Sequence, residues 1–380
     1  MVVVFATTVA AIMTNTVVVA ALPDITDHFE MSGALSGLPV AAAALPGIFL
    51  ALAVGVLADR FGRRPVLVTC LLLFGGFGTA CAAAPSFWVL LALRVGQGIG
   101  TAGLMNLAIV LIGDRWSGRE RVRRISWNAA VLTLGIAILP VIGGWLAEVG
   151  SWRTPFLLSG YGIGVAVVAQ LVLPAPRGRL AIGVRAQLRQ ARPHLTDPTV
   201  VIAVSIGAVL FALVFGLTLG TLPEHLSEEF GIAAGGRGLV LLGHAVLSTT
   251  VILLLPRIHR RLGRNITVVV GTAVYAAGAL MVAAATDVGV VVAAASSAGL
   301  AEGLIIPTLQ DYVAEGPPEA SRGVVVALFT TGARLGQTVG PLLAAVAIAA
   351  TSTRTTFALG AVISVGLAAF ALSRRARLPA

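Results

Sequence analysis

Along its whole length the chain alternates long apolar stretches with short breaks marked by arginine, glycine, proline or acidic residues. Twelve such stretches stand out, at about 2–22, 34–58, 65–84, 86–112, 126–148, 155–174, 199–222, 238–256, 266–286, 288–310, 323–349 and 355–373. Each approaches the roughly 20 residues that a helix needs to cross a hydrocarbon core of about 30 Å. The pattern therefore predicts an all-α membrane protein of twelve transmembrane helices. The first stretch reads as a span and not as a cleaved signal. No basic segment precedes it, no small-residue cleavage site follows it, and Leu22-Pro23-Asp24 is expected to end the helix.

Composition agrees with the pattern. Hydrophobic residues make up 57% of the chain and charged residues 11%, against about 25% charged in a soluble domain. The net charge of +10 comes entirely from arginine, since the chain has no lysine. If the N-terminus is cytoplasmic, Arg153, Arg237 and Arg354 face outward and Arg94 and Arg334 lie within spans. All other arginines then fall in cytoplasmic loops or the C-terminal tail. That is the positive-inside distribution, so both termini are expected in the cytoplasm, and the basic charge marks topology with no nucleic-acid partner. The expected location is the inner (cytoplasmic) cell membrane.

The two cysteines, Cys70 and Cys81, sit on one predicted helix, about 16 Å apart at 1.5 Å per residue. That separation forbids an intrahelical disulfide. Histidines and cysteines show no metal-ligand spacing, and no cofactor motif is present.

The chain also repeats itself. Arg60-Phe61-Gly62-Arg63 recurs as Arg261-Leu262-Gly263-Arg264, 201 residues later. The same offset relates Gly135 to Gly336, Pro140 to Pro341 and Arg121 to Arg322. Span n of the first half thus corresponds to span n+6 of the second. The expected organisation is a six-helix bundle over 1–174, a basic cytoplasmic linker over 175–198, and a second six-helix bundle over 199–380.

Between spans two and three stands Gly55-Val-Leu-Ala-Asp59-Arg60-Phe-Gly62-Arg63-Arg64-Pro65. Gly55 would let two helices approach closely and Gly62 would permit a tight turn. This string resembles the cytoplasmic-loop signature of the major facilitator superfamily, and the twelve spans and central linker fall where that family has them. The resemblance implies two pseudo-symmetric bundles and a conformational latch formed by Gly55, Asp59, Arg60, Gly62, Arg63 and Arg64, made in the outward-open state and broken on switching.

Two further elements carry the likeness. Arg94-Val-Gly-Gln97-Gly98-Ile-Gly100-Thr101 puts a charge inside span four, which costs at least about 2.5–3.5 kcal/mol unless it faces the bundle interior with partners. The family has an Arg-x-x-Gln-Gly element here that is tied to proton coupling; the plainer reading is an arginine that bonds backbone carbonyls. Span five carries Gly135, Pro140, Gly143 and Gly144, resembling the glycine-rich element of the family's drug–proton antiporters, with departures at Ser126 and Leu139. Small residues there let spans five and eight pack closely.

The second half adds Glu302 in span ten and Arg334 in span eleven, the latter within Arg334-Leu-Gly336-Gln337-Thr-Val-Gly340-Pro341. Similar depths would let them pair across adjacent helices, either as a proton switch or as a static salt bridge. Span one has Asn15 between Thr14 and Thr16 but no carboxylate, so coupling falls on Glu302, on Arg94, on Arg334, or on none. Asn15, Asn128 and Gln337 are candidate cavity liners, and His244 reads as a packing histidine.

These features point to a transporter and not an enzyme. The expected activity is export of amphipathic small molecules, of the multidrug type, by proton antiport and alternating access. A narrower metabolite exporter or symporter of the same fold is the alternative. A membrane enzyme is a remote third. The partners implied are a small-molecule substrate, protons and the lipid bilayer, and the family expectation is a monomer.

Overall fold

The structure is a computed structural model that describes residues 1–174, 198–315 and 319–374. It is helical throughout these residues, and twelve helices are long and apolar enough to cross a membrane. Span one covers Val2–His28, span three Arg63–Ala83, span four Phe87–Arg115, span five Gly118–Val149 and span six Thr154–Val172. Span two is the helix Leu38–Phe61, entered through a short turn at Gly33–Leu35. Span seven runs to Phe230, span eight covers Ala234–Leu262, span nine Arg264–Ala284, span ten Val288–Glu315, span eleven Glu319–Ala350 and span twelve Thr353–Arg374.

Every span predicted from the hydrophobic pattern is a helix, with two departures of physical interest. Leu22-Pro23-Asp24 does not end span one. The α-helix yields to a 3₁₀ turn at Val19–Ala21, and a fresh helix then starts at Leu22 and runs to His28. Pro23 sits in its first turn, where the missing N–H has no bond to lose. Span seven is also irregular. Between its α-helical portions, Val214–Thr221 winds as a π-helix, a form rare outside functional segments. The expected linker falls on residues 175–197, outside the described residues, while Pro198 already opens the helix of span seven.

The internal repeat is visible in the backbone. Gly62 joins spans two and three at φ 93° and ψ 155°, and Gly263 joins spans eight and nine at φ 76° and ψ 159°. Both corners turn one helix into the next with a single residue in a region that L side chains rarely adopt.

Packing rests on small residues. A Cβ on Gly336 or Gly340 would strike the backbone of Ala208 or Ala212 in span seven, and one on Gly98 would strike the Ala43 carbonyl in span two. Gly216, within the π-segment, lies against the backbone of Gly340. Gly340→Leu should therefore lower the stability of the detergent-solubilised protein by about 1–3 kcal/mol, the usual cost of overpacking; a thermal-shift assay comparing it with an exposed Leu343→Ala control would read this.

Candidate functional site

The two sets of six helices meet along spans two and eleven and along spans five and eight. The contacts concentrate toward the end that carries the first loop. There Gly144 abuts the Ala234 carbonyl, and Gly238 abuts the Pro140 carbonyl. Gly37 faces the Cβ of Pro341 at 3.1 Å from its own would-be Cβ. Glu148 accepts the backbone N–H of Gly235 at 2.9 Å, and Arg237 forms an ion pair with Asp24 at 2.8 Å. Gly143 seats on Val17 of span one, and Gly135 on the tip of Ile12. The glycines singled out in span five thus sit at tight helix contacts, with Gly144 and the neighbouring Pro140 touching span eight directly. Gly135 and Gly143 act on span one, which the sequence alone did not indicate.

The opposite end is different. Gly55 has no heavy atom within 4 Å of its would-be Cβ, so the close helix approach expected there is absent from this conformation. The rest of the latch folds onto its own half. Arg63 forms an ion pair with Asp59 and reaches Asp114, at the end of span four, at 3.2 Å. Arg64 donates to the Leu173 carbonyl at 3.3 Å, and Arg60 lies beside Phe61. Asp114 carried no signal beyond its place at the end of an apolar run. The molecule is closed at the first-loop end, and Gly55 at the other end stands free.

Arg94 is fully buried. It donates to the carbonyls of Pro39 (2.9 Å) and Thr14 (2.6 Å), to Oε1 of Gln97 (2.5 Å) and to Oδ1 of Asn15 (2.7 Å). The Phe156 ring lies 5.9 Å from its guanidinium carbon, and Gln97 passes the network on to Ser159 at 3.2 Å. Span four is thereby tied to spans one, two and six. Asn15 belongs to this network, and Asn128 is likewise occupied, accepting from Thr8 at 2.7 Å. Both candidate cavity liners are thus hydrogen-bond partners of neighbouring helices, Asn128 buried and Asn15 half-buried.

The expected Glu302–Arg334 pair is not formed. Glu302, 9% exposed, places Oε2 3.3 Å from Nε2 of His244 in span eight, and its Oε1 is buried without a hydrogen-bond partner. His244 in turn bonds the Ala295 carbonyl through Nδ1 at 3.1 Å. Two glycines of span ten explain the choice. Gly299 abuts the His244 backbone and Gly303 abuts that of Ser248, so spans eight and ten lock together beside Glu302. His244 is thus a partner of the buried acid and not merely packing. Arg334 instead donates to Oε1 of Gln337 at 3.3 Å, and its stem lies 3.2 Å from a would-be Cβ on Gly47 of span two. It crosses to the other half through the space that Gly47 leaves.

Among the described residues no group of three His, Cys, Asp or Glu side chains could hold a metal ion, and both cysteines are free and buried.

Replacing Arg94 by alanine should orphan Gln97 and Asn15 and two carbonyls, at about 1–3 kcal/mol for each buried group left unpaired. Arg94→Lys should recover only part of this, since an ammonium cannot span the same fork. Monodisperse yield on size-exclusion chromatography would rank wild type above Arg94→Lys above Arg94→Ala.

Comparison with known proteins agrees with this architecture. The family model for the Major Facilitator Superfamily matches residues 4–219 and 204–380. The 4-hydroxybenzoate transporter PcaK of Acinetobacter baylyi is 38% identical over 124 residues, 32% of this chain and 27% of that protein. The quinolone resistance protein NorA of Staphylococcus aureus is 25% identical over 229 residues, 58% of this chain and 59% of that protein. The matched stretches thus span less than two thirds of these relatives. The crystal structure of the nucleoside transporter NupG superposes with a TM-score of 0.79 at 13% identity, covering 98% of this chain and 99% of that one. With a family model matching along nearly its whole length and a fold shared with solved transporters, the chain belongs to the Major Facilitator Superfamily of membrane transporters.

Proposed function

We propose that the chain exports amphipathic small molecules in exchange for protons, by alternating access. Its halves, 1–174 and 199–380, rock against each other across the linker at 175–198. The arginine distribution supports an orientation in the inner membrane of the cell with both termini and the linker in the cytoplasm and the first-loop end outside. The conformation described here is then closed to the outside. The transporter works as a monomer.

One observation carries the proton-coupled reading: Glu302 is buried in the second half with one carboxylate oxygen on His244 and the other unpartnered. An acid held by a single histidine, with its other oxygen unpaired, is costly to keep as an anion in hydrocarbon, and a proton supplied when the halves move would remove that cost. The similarity to NorA supports the efflux class, because that relative matches the widest stretch among those described. The glycine contacts of span five with spans one and eight suit an outer seal, and Gly55 standing free suits a latch that is open in this state and engages when the molecule turns outward. Arg94 serves this mechanism by holding spans one, two, four and six as one body. Arg334, lying across the halves beside Gln337, is placed to change partners when they separate.

A narrower substrate is the second reading. It is favoured by the higher identity to the 4-hydroxybenzoate transporter and by the lack of a carboxylate in the middle of span one.

In proteoliposomes with an imposed pH gradient, wild-type protein should drive a fluorescent lipophilic cation, and Glu302→Gln should lose that gradient-driven transport while keeping counterflow exchange. Equal gradient-driven transport by both proteins would move coupling away from Glu302. Transport of aromatic carboxylates in place of the cation would favour the second reading.

A further inference from the structure

The seal at the first-loop end contains a layer of polar groups that the mechanism above does not use. Span one ends there with Asp24 and Asp27, the short turn before span two brings Gly33 and Ser36, span seven ends with Glu224, His225, Glu228 and Glu229, and span eight begins with Arg237. Glu224 is 3% exposed, His225 0% and Arg237 3%. Most of the buried side-chain atoms without a hydrogen-bond partner among the described residues fall in this layer: Asp24 Oδ2, Glu224 Oε2, His225 Nε2, and Nε and Nη1 of Arg237. A membrane protein rarely leaves so many buried polar atoms unpaired in one place unless the place changes its state.

Glu224 is the centre of the layer. A Cβ on Gly33 would collide with its carboxylate and would touch that of Glu228 at 3.1 Å, so one point on the first half is flanked by two acids from the second. The charged groups facing Glu224 are Glu228 on its own helix, Asp27 on the helix opposite, and Arg237 at the start of span eight. Ser36 brings only a hydroxyl. Arg237 pairs with Asp24 and not with Glu224, its Nη2 2.8 Å from Asp24 Oδ1. Span twelve contributes Thr353, which bonds His225 at 3.0 Å, and Arg354, which is held by Glu229 at 2.7 Å. Among the described residues no cation forms an ion pair with Glu224: Arg237, although two of its nitrogens lack a partner, pairs with Asp24, and Arg354 pairs with Glu229.

We propose that Glu224 is a proton-binding site of its own, distinct from Glu302, and that the outer end closes only when this carboxyl carries a proton taken from the outer side. As a neutral acid it can be sealed beside Glu228 and Gly33. As an anion it would be shut away from water next to a second carboxylate, which burial and like charge both oppose. Opening the outer end gives Glu224 back to water, where the proton leaves. No bond is made or broken beyond this transfer between water and carboxylate. Gly33 is part of the device, since only a residue without Cβ leaves room for the acid to enter. The inference takes its sidedness and its alternation of open and closed states from the function proposed above. It adds that acidity outside returns the transporter to the form closed on that side.

The test reads the seal directly and not transport. Spin labels would be placed at Ser151→Cys and Thr286→Cys, exposed loop positions of the two halves, with Cys70 and Cys81 buried and unlabelled. Interlabel distances would be measured in lipid nanodiscs between about pH 5 and pH 9, a range wide enough to bracket a buried acid. Wild type should shift from the short to the long distance as pH rises. Glu224→Gln, neutral at every pH, should stay short throughout. Glu228→Gln, which changes an exposed residue and so spares the fold, removes the neighbouring like charge and should begin to open at a pH lower by about one unit. A Glu224→Gln transition identical to wild type, or an unmoved transition in Glu228→Gln, would overturn the proposal. Glu302→Gln separates the two ideas. If it alone abolishes the response, the seal is governed by Glu302 and the present inference fails while proton coupling stands. If it keeps the response but also keeps gradient-driven transport, the coupling role of Glu302 fails and the site at Glu224 stands.

Discussion

Helices immersed in hydrocarbon gain nothing from hiding apolar surface from one another, so they hold together only where their backbones come close enough for dispersion and polar contacts to act. This molecule meets that condition with glycine. Gly98 of span four against span two, Gly336 and Gly340 of span eleven against span seven, Gly299 and Gly303 of span ten against span eight, and Gly144 of span five against the start of span eight are all places where a single Cβ would push the helices apart. The consequences reach beyond packing. Spans eight and ten approach closely enough to bring His244 to Glu302, and spans two and eleven closely enough for Arg334 to lie over Gly47. The sites of charge are set by where the small residues are.

The same economy explains how charged groups are tolerated. Arg94 is fully buried, yet its contacts are carbonyls and amide oxygens of its own span and of spans one and two, so the cost of its burial is offset by cohesion of the first half. Glu302 and Glu224 are different. Each keeps a buried oxygen without a partner, and an acid in that condition is stable only while its protonation matches its surroundings. A first half anchored by the fully bonded Arg94 and a second that buries two incompletely bonded glutamates is a division of labour suited to a machine whose halves exchange environments.

The two ends of the molecule are also built unlike one another. At the first-loop end the halves interlock through Gly144, Gly238 and Gly37 and through Asp24–Arg237 and Glu148–Gly235. At the other end Gly55 faces open space and Arg63 turns to Asp59 and Asp114 within its own half. A pseudo-symmetric chain has thus taken an asymmetric state, and span seven winds as a π-helix where span one breaks into a 3₁₀ turn, with Gly216 of the π-segment against Gly340 of span eleven.

How much of this was legible beforehand follows the range of the forces involved. The twelve spans, the repeat, the paired corners at Gly62 and Gly263, and the inward placement of Arg94 were open to reading, because bilayer thickness, glycine's backbone freedom and the cost of a buried charge act on a residue and its near neighbours in sequence. The break in span one at Val19–Ala21 was not, since Pro23 signals a stop as readily as a start. Neither was the partner of Glu302. Depth along a helix can be counted from sequence, but which face meets which neighbour cannot, and so Arg334 was the expected partner while His244 was read as packing. The layer of Asp24, Glu224 and Arg237 left only a faint trace, a run of acids where an apolar stretch ends, which by itself marks any loop. The sequence by itself determined what must lie in the membrane and how deep; only the tertiary structure decided which buried charges meet, because partners are chosen by helix contacts between residues far apart in the chain.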